Sequence, residues 1–194
     1  MNTVRVIRGL ALTGLASLGL IAMTPAFAES QFSTGAGPNT ANARLDFQIN
    51  IPRFLSFRVG PAGAGIEQVV FDVAAANVGD GTAVARTGGL AVDVALRGNG
   101  GAISLTADTT GTSLTDSGSG ETIPFTQITT TTATGTITAP TLVENGVSAP
   151  VAVAPTAGTR VTDRTATWAY SYENDAIVGA GQYDGQVQYT ATMP

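Results

Sequence analysis

Three side chains that carry much of protein chemistry are missing: the chain has no cysteine, no histidine and no lysine. Without histidine or cysteine there is no Ser-His-Asp or Cys-His triad, and without lysine no Ser-Lys dyad or Schiff base. Zinc held by imidazole or thiolate is excluded on the same ground. General acid–base work near neutral pH loses its commonest agent. In an oxidising compartment the fold has no disulfide to hold it, so burial and backbone pairing must do so. Charge is scarce too, at 12% of residues, and it leans acidic, with a net −5. Such a chain has no basic stripe for nucleic acid, and nothing draws it to an anionic membrane surface. What remains is carboxylate chemistry, tyrosine, or a metal held by oxygens.

A long apolar run occurs once, near the N-terminus. Arg5 and Arg8 charge a short leading segment, and Leu10 to Met23 is almost wholly apolar. Thr24-Pro25 breaks the run, and Ala26-Phe27-Ala28 supplies the small-x-small pattern that a signal peptidase reads. Residues 1–28 are therefore expected to be a secretory signal peptide, cleaved before Glu29. The apolar stretch falls short of the about 20 residues that a spanning helix needs. Arg5 and Arg8 are not adjacent, which leaves a twin-arginine route unsupported, and no cysteine follows the cleavage site to carry a lipid. The expected location is the periplasm, the cell surface or the extracellular space, with no transmembrane segment in the mature chain. With its two arginines gone, the charge there falls from −5 to −7.

Abundant Thr and Val and 24 glycines argue for strands over helices. Thr and Val are stiff at χ1 and fit a pleated surface better than a helical turn. Gly and Pro punctuate the chain at the rhythm of an all-β sandwich or barrel. The predicted fold is an antiparallel β-sandwich of immunoglobulin-like or fimbrial-like type, with about eight to ten short strands. Its domain would span residues 43–194, after a flexible N-terminal tail at 29–42 that is polar and aperiodic.

Several runs alternate strictly. Leu45, Phe47, Ile49 and Ile51 share one face of the first predicted strand, Arg44 to Ile51, and Arg44, Asp46, Gln48 and Asn50 the other. Alternation of that kind means one buried face and one wet one. Leu55, Phe57 and Val59 follow after Pro52, then the turn Gly60 to Gly63, then Val69, Phe71 and Val73. Leu90, Val92, Val94 and Leu96 alternate before Gly98-Asn99-Gly100-Gly101, and Ile103, Leu105 and Ala107 after it. Two such runs around a Gly/Asn loop predict a β-hairpin. Ala74 to Gly88 and Asp108 to Glu121 read as loops. Ile123 and Phe125 mark a short edge strand with Pro124 in it, and 128–138 and 147–154 are weaker strand candidates. Ala166, Trp168, Tyr170 and Tyr172 share a face near the C-terminus; Tyr183, Val187 and Tyr189 lie on the last predicted strand.

No residue stands out as catalytic, cofactor-binding or metal-ligating, so no cofactor is predicted. Asp116-Ser117-Gly118 has the Asp-Ser/Thr-Gly form of an aspartic protease loop. Such an enzyme needs two aspartates sharing a proton, and a Ser/Thr/Gly turn explains the tripeptide better. A glycosidase needs a carboxylate pair whose spacing in space a sequence does not reveal. Asp80, Asp108, Asp116 and Glu121 lie in loops that could hold calcium, yet no stretch has the dense oxygen spacing of a known calcium loop. Trp168, Tyr170 and Tyr172 fit a sugar-stacking platform or a core; four consecutive same-face apolar positions favour core, with Tyr183 and Tyr189 as further core aromatics.

The stretch Ala180-Gly181-Gln182-Tyr183-Asp184-Gly185-Gln186-Val187-Gln188-Tyr189-Thr190-Ala191 resembles the closing strand of secreted bacterial β-sandwich subunits of fimbrial and spore-coat-protein-U-like type. The cysteine pair common in such subunits is missing. The resemblance implies a non-enzymatic structural or adhesive subunit of the cell surface, working through self-assembly or other surface subunits, its ligand unidentified. Leu45, Phe47, Ile49 and Ile51 then form a candidate assembly strand; the plainer expectation is that they open the chain's own sandwich. The alternatives are a monomeric extracellular binding module, for example for carbohydrate, and a small outer-membrane β-barrel.

Overall fold

A computed structural model describes residues 31–63, 65–89 and 91–194. The expected signal peptide and Leu90 lie outside the described residues. The chain divides into a unit ending at Asn50 and a compact unit, Ile51–Pro194. In the first, residues 31–50 carry no helix or strand and are exposed throughout. Their order is local: Asn39 Nδ2 donates to Gly35 O at 3.1 Å, and Asn42 N to Gln31 Oε1 at 3.0 Å.

The compact unit is all-β, with antiparallel sheets and two single 3-10 turns at Ala75–Asn77 and Phe125–Gln127. Its largest sheet is built on the longest strand, β9 (Thr162–Tyr172). Trp168 is paired with both Val92 and Thr132, so β3 (Val92–Gly98) and β7 (Ile128–Gly135) flank β9 on opposite edges. The short β2 (Val84–Ala85) continues the β3 side at Tyr172, and β1 (Leu55–Val59) pairs with β3. A second sheet runs β11 (Gln188–Thr192), β4 (Ile103–Asp108), β8 (Val151–Val153). A third joins β10 (Tyr183–Asp184), β5 (Leu114–Asp116) and β6 (Thr122–Ile123).

Alternation explains why these strands meet. On β3 and β4 every second residue is buried, and on β9 Ala166, Trp168, Tyr170 and Tyr172 turn inward. Their apolar faces enter one core, in which the Trp168 and Tyr189 rings lie 5.2 Å apart. The Trp168 indole N–H donates to Ile137 O at 2.8 Å, so the largest buried side chain leaves no polar atom orphaned. β7 bulges between Thr132 and Thr134, and Gly135 (φ 88°) ends it hard against β9. A Cβ there would meet Thr165 O and come within 2.6 Å of Ala166 Cα, so only glycine fits.

Five expectations need correction. The Gly98–Gly101 loop does not close a hairpin: β3 pairs with β1 and β9, and β4 with β11 and β8. The loop is an arch between sheets, held where Gly101 N donates to Arg160 O at 2.9 Å. Hairpin and arch share one sequence pattern, because both strands bury alternate residues in the same core. Residues 108–121 are not wholly an exposed loop, since they contain β5 and bury Thr109 and Asp116. The predicted last strand is two, β10 and β11, in different sheets. Arg44 to Ile51 is not a strand of the sandwich, and Val69 to Val73 is extended and half-buried without forming a ladder.

Candidate functional site

Leu45, Phe47, Ile49 and Ile51 are 75, 85, 83 and 77% exposed. Four apolar side chains at strand spacing, all in water, are unusual; single exposed apolar residues are common, contiguous rows are not. The chain just after them is firmly fixed. Asn99, in the β3–β4 arch, accepts from Phe54 N at 2.9 Å and donates to Pro52 O at 2.8 Å. Arg53 reaches Met193 O at 3.4 Å, and the Met193 sulfur accepts from Gly100 N at 3.2 Å. Residues 52–54 are thus anchored at the arch and at the end of β11.

The strand edges differ in what they present. β7 is a Thr-rich edge with exposed side chains along most of its length. β8, β6 and β10 are two or three residues long. β1 directs Phe57 and Val59 toward the core. β11 pairs with β4 on one side only, and Val187, Tyr189, Ala191 and Met193, in and beside it, form a half-buried apolar row at period two. Phe71, in the extended stretch 67–73, stacks on Tyr172 with ring centroids 6.4 Å apart, two residues along β9 from Tyr170. That stretch is fastened to Arg86 and Thr87: Arg86 pairs with Glu67 and donates to Gln68 O, and Thr87 N donates to Val70 O at 2.7 Å.

The predicted core aromatics divide. Trp168, Tyr170 and Tyr172 are buried, whereas Tyr183 and Tyr189 are half-buried. The Tyr170 and Tyr189 hydroxyls share a hydrogen bond of 3.1 Å, and burial pushes both phenols above their usual range, so they remain protonated. No open aromatic platform for a sugar is formed by Trp168, Tyr170 and Tyr172.

The loop carboxylates serve as turn acceptors. Asp80 Oδ1 accepts from Thr82 N and Asp108 Oδ1 from Thr110 N, both at 2.8 Å. Asp116 Oδ2 takes both Ser119 N and Ser119 Oγ at 2.7 Å, and those bonds hold its carboxyl below the usual range. Glu121 Oε2 accepts from Gly179 N at 3.1 Å. Among the described residues, no three such groups cluster as metal ligands would.

Two asparagines that the sequence marks only as turn residues prove structural. Asn99 is the clamp described above. Asn174 is almost wholly buried at φ 55°, where it stops β9; its amide accepts from Gly79 N at 3.0 Å and donates to Asn77 O at 2.7 Å. It thereby pins the 74–88 loop to the end of β9. Their sequence signal is an Asn beside Gly or Asp at a strand end, which marks turns in general. No family model, curated protein or solved structure matches the chain.

Proposed function

We propose that this protein is an exported, non-enzymatic structural or adhesive subunit of the cell surface, of fimbria-like type, which assembles by donating residues 45–51 as a strand to another subunit. One observation carries the reading: a seven-residue row with a strand's alternation stands in water, joined to a compact domain that already has its own core. An exposed apolar strand is an aggregation hazard unless a partner covers it. Adding an extended segment to a free sheet edge is a recurring way for proteins to recognise one another, backbone bonds giving affinity and alternate side chains specificity. Burial of Trp168, Tyr170 and Tyr172 favours this reading over a carbohydrate-binding module.

The test is size-exclusion chromatography with light scattering, then negative-stain microscopy, on the chain from Glu29 onward. Filaments or strand-exchanged oligomers that disappear in Phe47→Asp/Ile49→Asp support the proposal. A monomer that never polymerises, alone or with a periplasmic chaperone, overturns it.

A further inference from the structure

The geometry points to Met193 as an oxidation-sensitive latch: its thioether holds the β3–β4 arch and releases it when a hydroperoxide converts the sulfur to the sulfoxide. This goes beyond strand donation and does not rest on it. The chain has no cysteine, and its other two methionines, Met1 and Met23, fall in the expected signal peptide. Met193 is therefore the one sulfur in the segment that follows. It lies just after β11, half-buried against the core. With cysteine absent, a thioether is the softest and most readily oxidised group left.

The Met193 side chain sits in a fitted seat. Its sulfur accepts from Gly100 N at 3.2 Å, and its carbonyl accepts from Arg53 Nη2 at 3.4 Å. Glycine makes the seat: a Cβ at position 100 would stand 2.8 Å from both Sδ and Cε, and one at position 98 would stand 3.1 Å from Sδ. The arch holds residues 52–54 through the two Asn99 side-chain bonds, and Asn99 N donates to Phe54 O at 3.4 Å. Met193 thus touches the arch with its sulfur and the 52–54 segment with its backbone.

Oxidation acts on the sulfur contact itself. Hydrogen peroxide gives one oxygen to the thioether; the S–O bond forms as the O–O bond breaks, the sulfur loses two electrons and the peroxide is reduced to water. A thioether accepts a hydrogen bond weakly, through a sulfur lone pair. In the sulfoxide the sulfur is electron-poor, and the added oxygen is the acceptor. An oxygen on the Gly100 side must enter a seat with no room for a Cβ. An oxygen on the other side leaves Gly100 N without its partner. Either epimer ends the contact, and what it loosens is local: the arch and residues 52–54, with β9 still in the core.

The test is peroxide treatment of the folded protein, read by peptide mass and by amide exchange at Phe54, Gly100 and β9. One oxygen is expected on the peptide carrying Met193. Exchange at Gly100 and Phe54 should then run about two- to tenfold faster, the size of one net hydrogen bond, with β9 unchanged. Met193→Leu keeps the bulk and removes the acceptor, so its Gly100 amide should exchange faster without peroxide and respond no further to it. Oxygen that reaches Met193 only after urea unfolds the chain overturns the proposal. So does unchanged or slower exchange at Gly100 after oxidation, since the sulfoxide oxygen would then have taken the sulfur's place. Faster exchange throughout β9 replaces a local latch with general unfolding. Undiminished protection of Gly100 in Met193→Leu shows that the sulfur holds nothing.

Discussion

Residues 44–51 and β9 are written in the same pattern and come to opposite ends. Both place four apolar residues at i, i+2, i+4 and i+6: Leu45, Phe47, Ile49 and Ile51 in one, Ala166, Trp168, Tyr170 and Tyr172 in the other. The first row is at least three-quarters exposed, whereas no member of the second exceeds 9%. β9 has strands on both edges and a second sheet over its inner face. Among the described residues the earlier run forms no ladder. Alternation encodes a face that needs covering; it does not encode which chain provides the cover. Complete burial of one such side chain contributes about 1.5–3 kcal/mol. Four of them would offset much of the about 4–15 kcal/mol that association costs, with backbone pairing along an edge adding the rest.

Mutations at the two rows sharpen the contrast. Trp168→Ala strikes the covered row and should lower single-chain stability by about 3–5 kcal/mol, read as a fall in the urea midpoint. Asn174 tests what stops β9 at Tyr172. Asn174→Ala removes its buried hydrogen bonds and replaces a residue that tolerates positive φ with one that tolerates it less, for an expected loss of about 1–3 kcal/mol. Asn174→Gly keeps the backbone freedom and should lose less, which separates the two contributions in the same assay.

Acid separates the folded domain from its leading segment more gently. Hydrogen bonds from Ser119 lower the Asp116 carboxyl in the folded state. Its contribution is therefore present above the ordinary value of about 4 and lost as pH falls through the lower folded value. Thermal melts should drop over that window, and Asp116→Asn should flatten the drop. The smallest effect on the single chain belongs to the uncovered row. Phe47→Asp/Ile49→Asp should move monomer stability by no more than about 0.5 kcal/mol while assembly is lost. A large destabilisation of the monomer by that pair would erase the contrast altogether.

Much of the architecture was legible in the residues. The alternation of Leu55 to Val59, Val92 to Leu96, Ile103 to Ala107 and Ala166 to Tyr172 marks β1, β3, β4 and β9, because each has one face on the core. Pairing was not legible where two topologies bury the same residues: Gly98 to Gly101 suits a hairpin and an arch alike. Very short strands such as β5 and β6 escape notice, since two or three residues show no period. Asn99 and Asn174 look like any turn asparagine until distant backbone groups, Pro52 O and Asn77 O, come to them. The alternation of Leu45 to Ile51 was legible, and its lack of a ladder and of cover was not, because both belong to tertiary structure.

The most direct measurement is amide hydrogen exchange over residues 44–51, compared with β9, in dilute monomer and in assembled material. Strand donation predicts a monomer in which β9 exchanges only through global unfolding and 44–51 exchanges freely, and an assembly in which 44–51 becomes protected. Protection of 44–51 already in the dilute monomer would contradict it, since the strand would then belong to the chain's own sandwich.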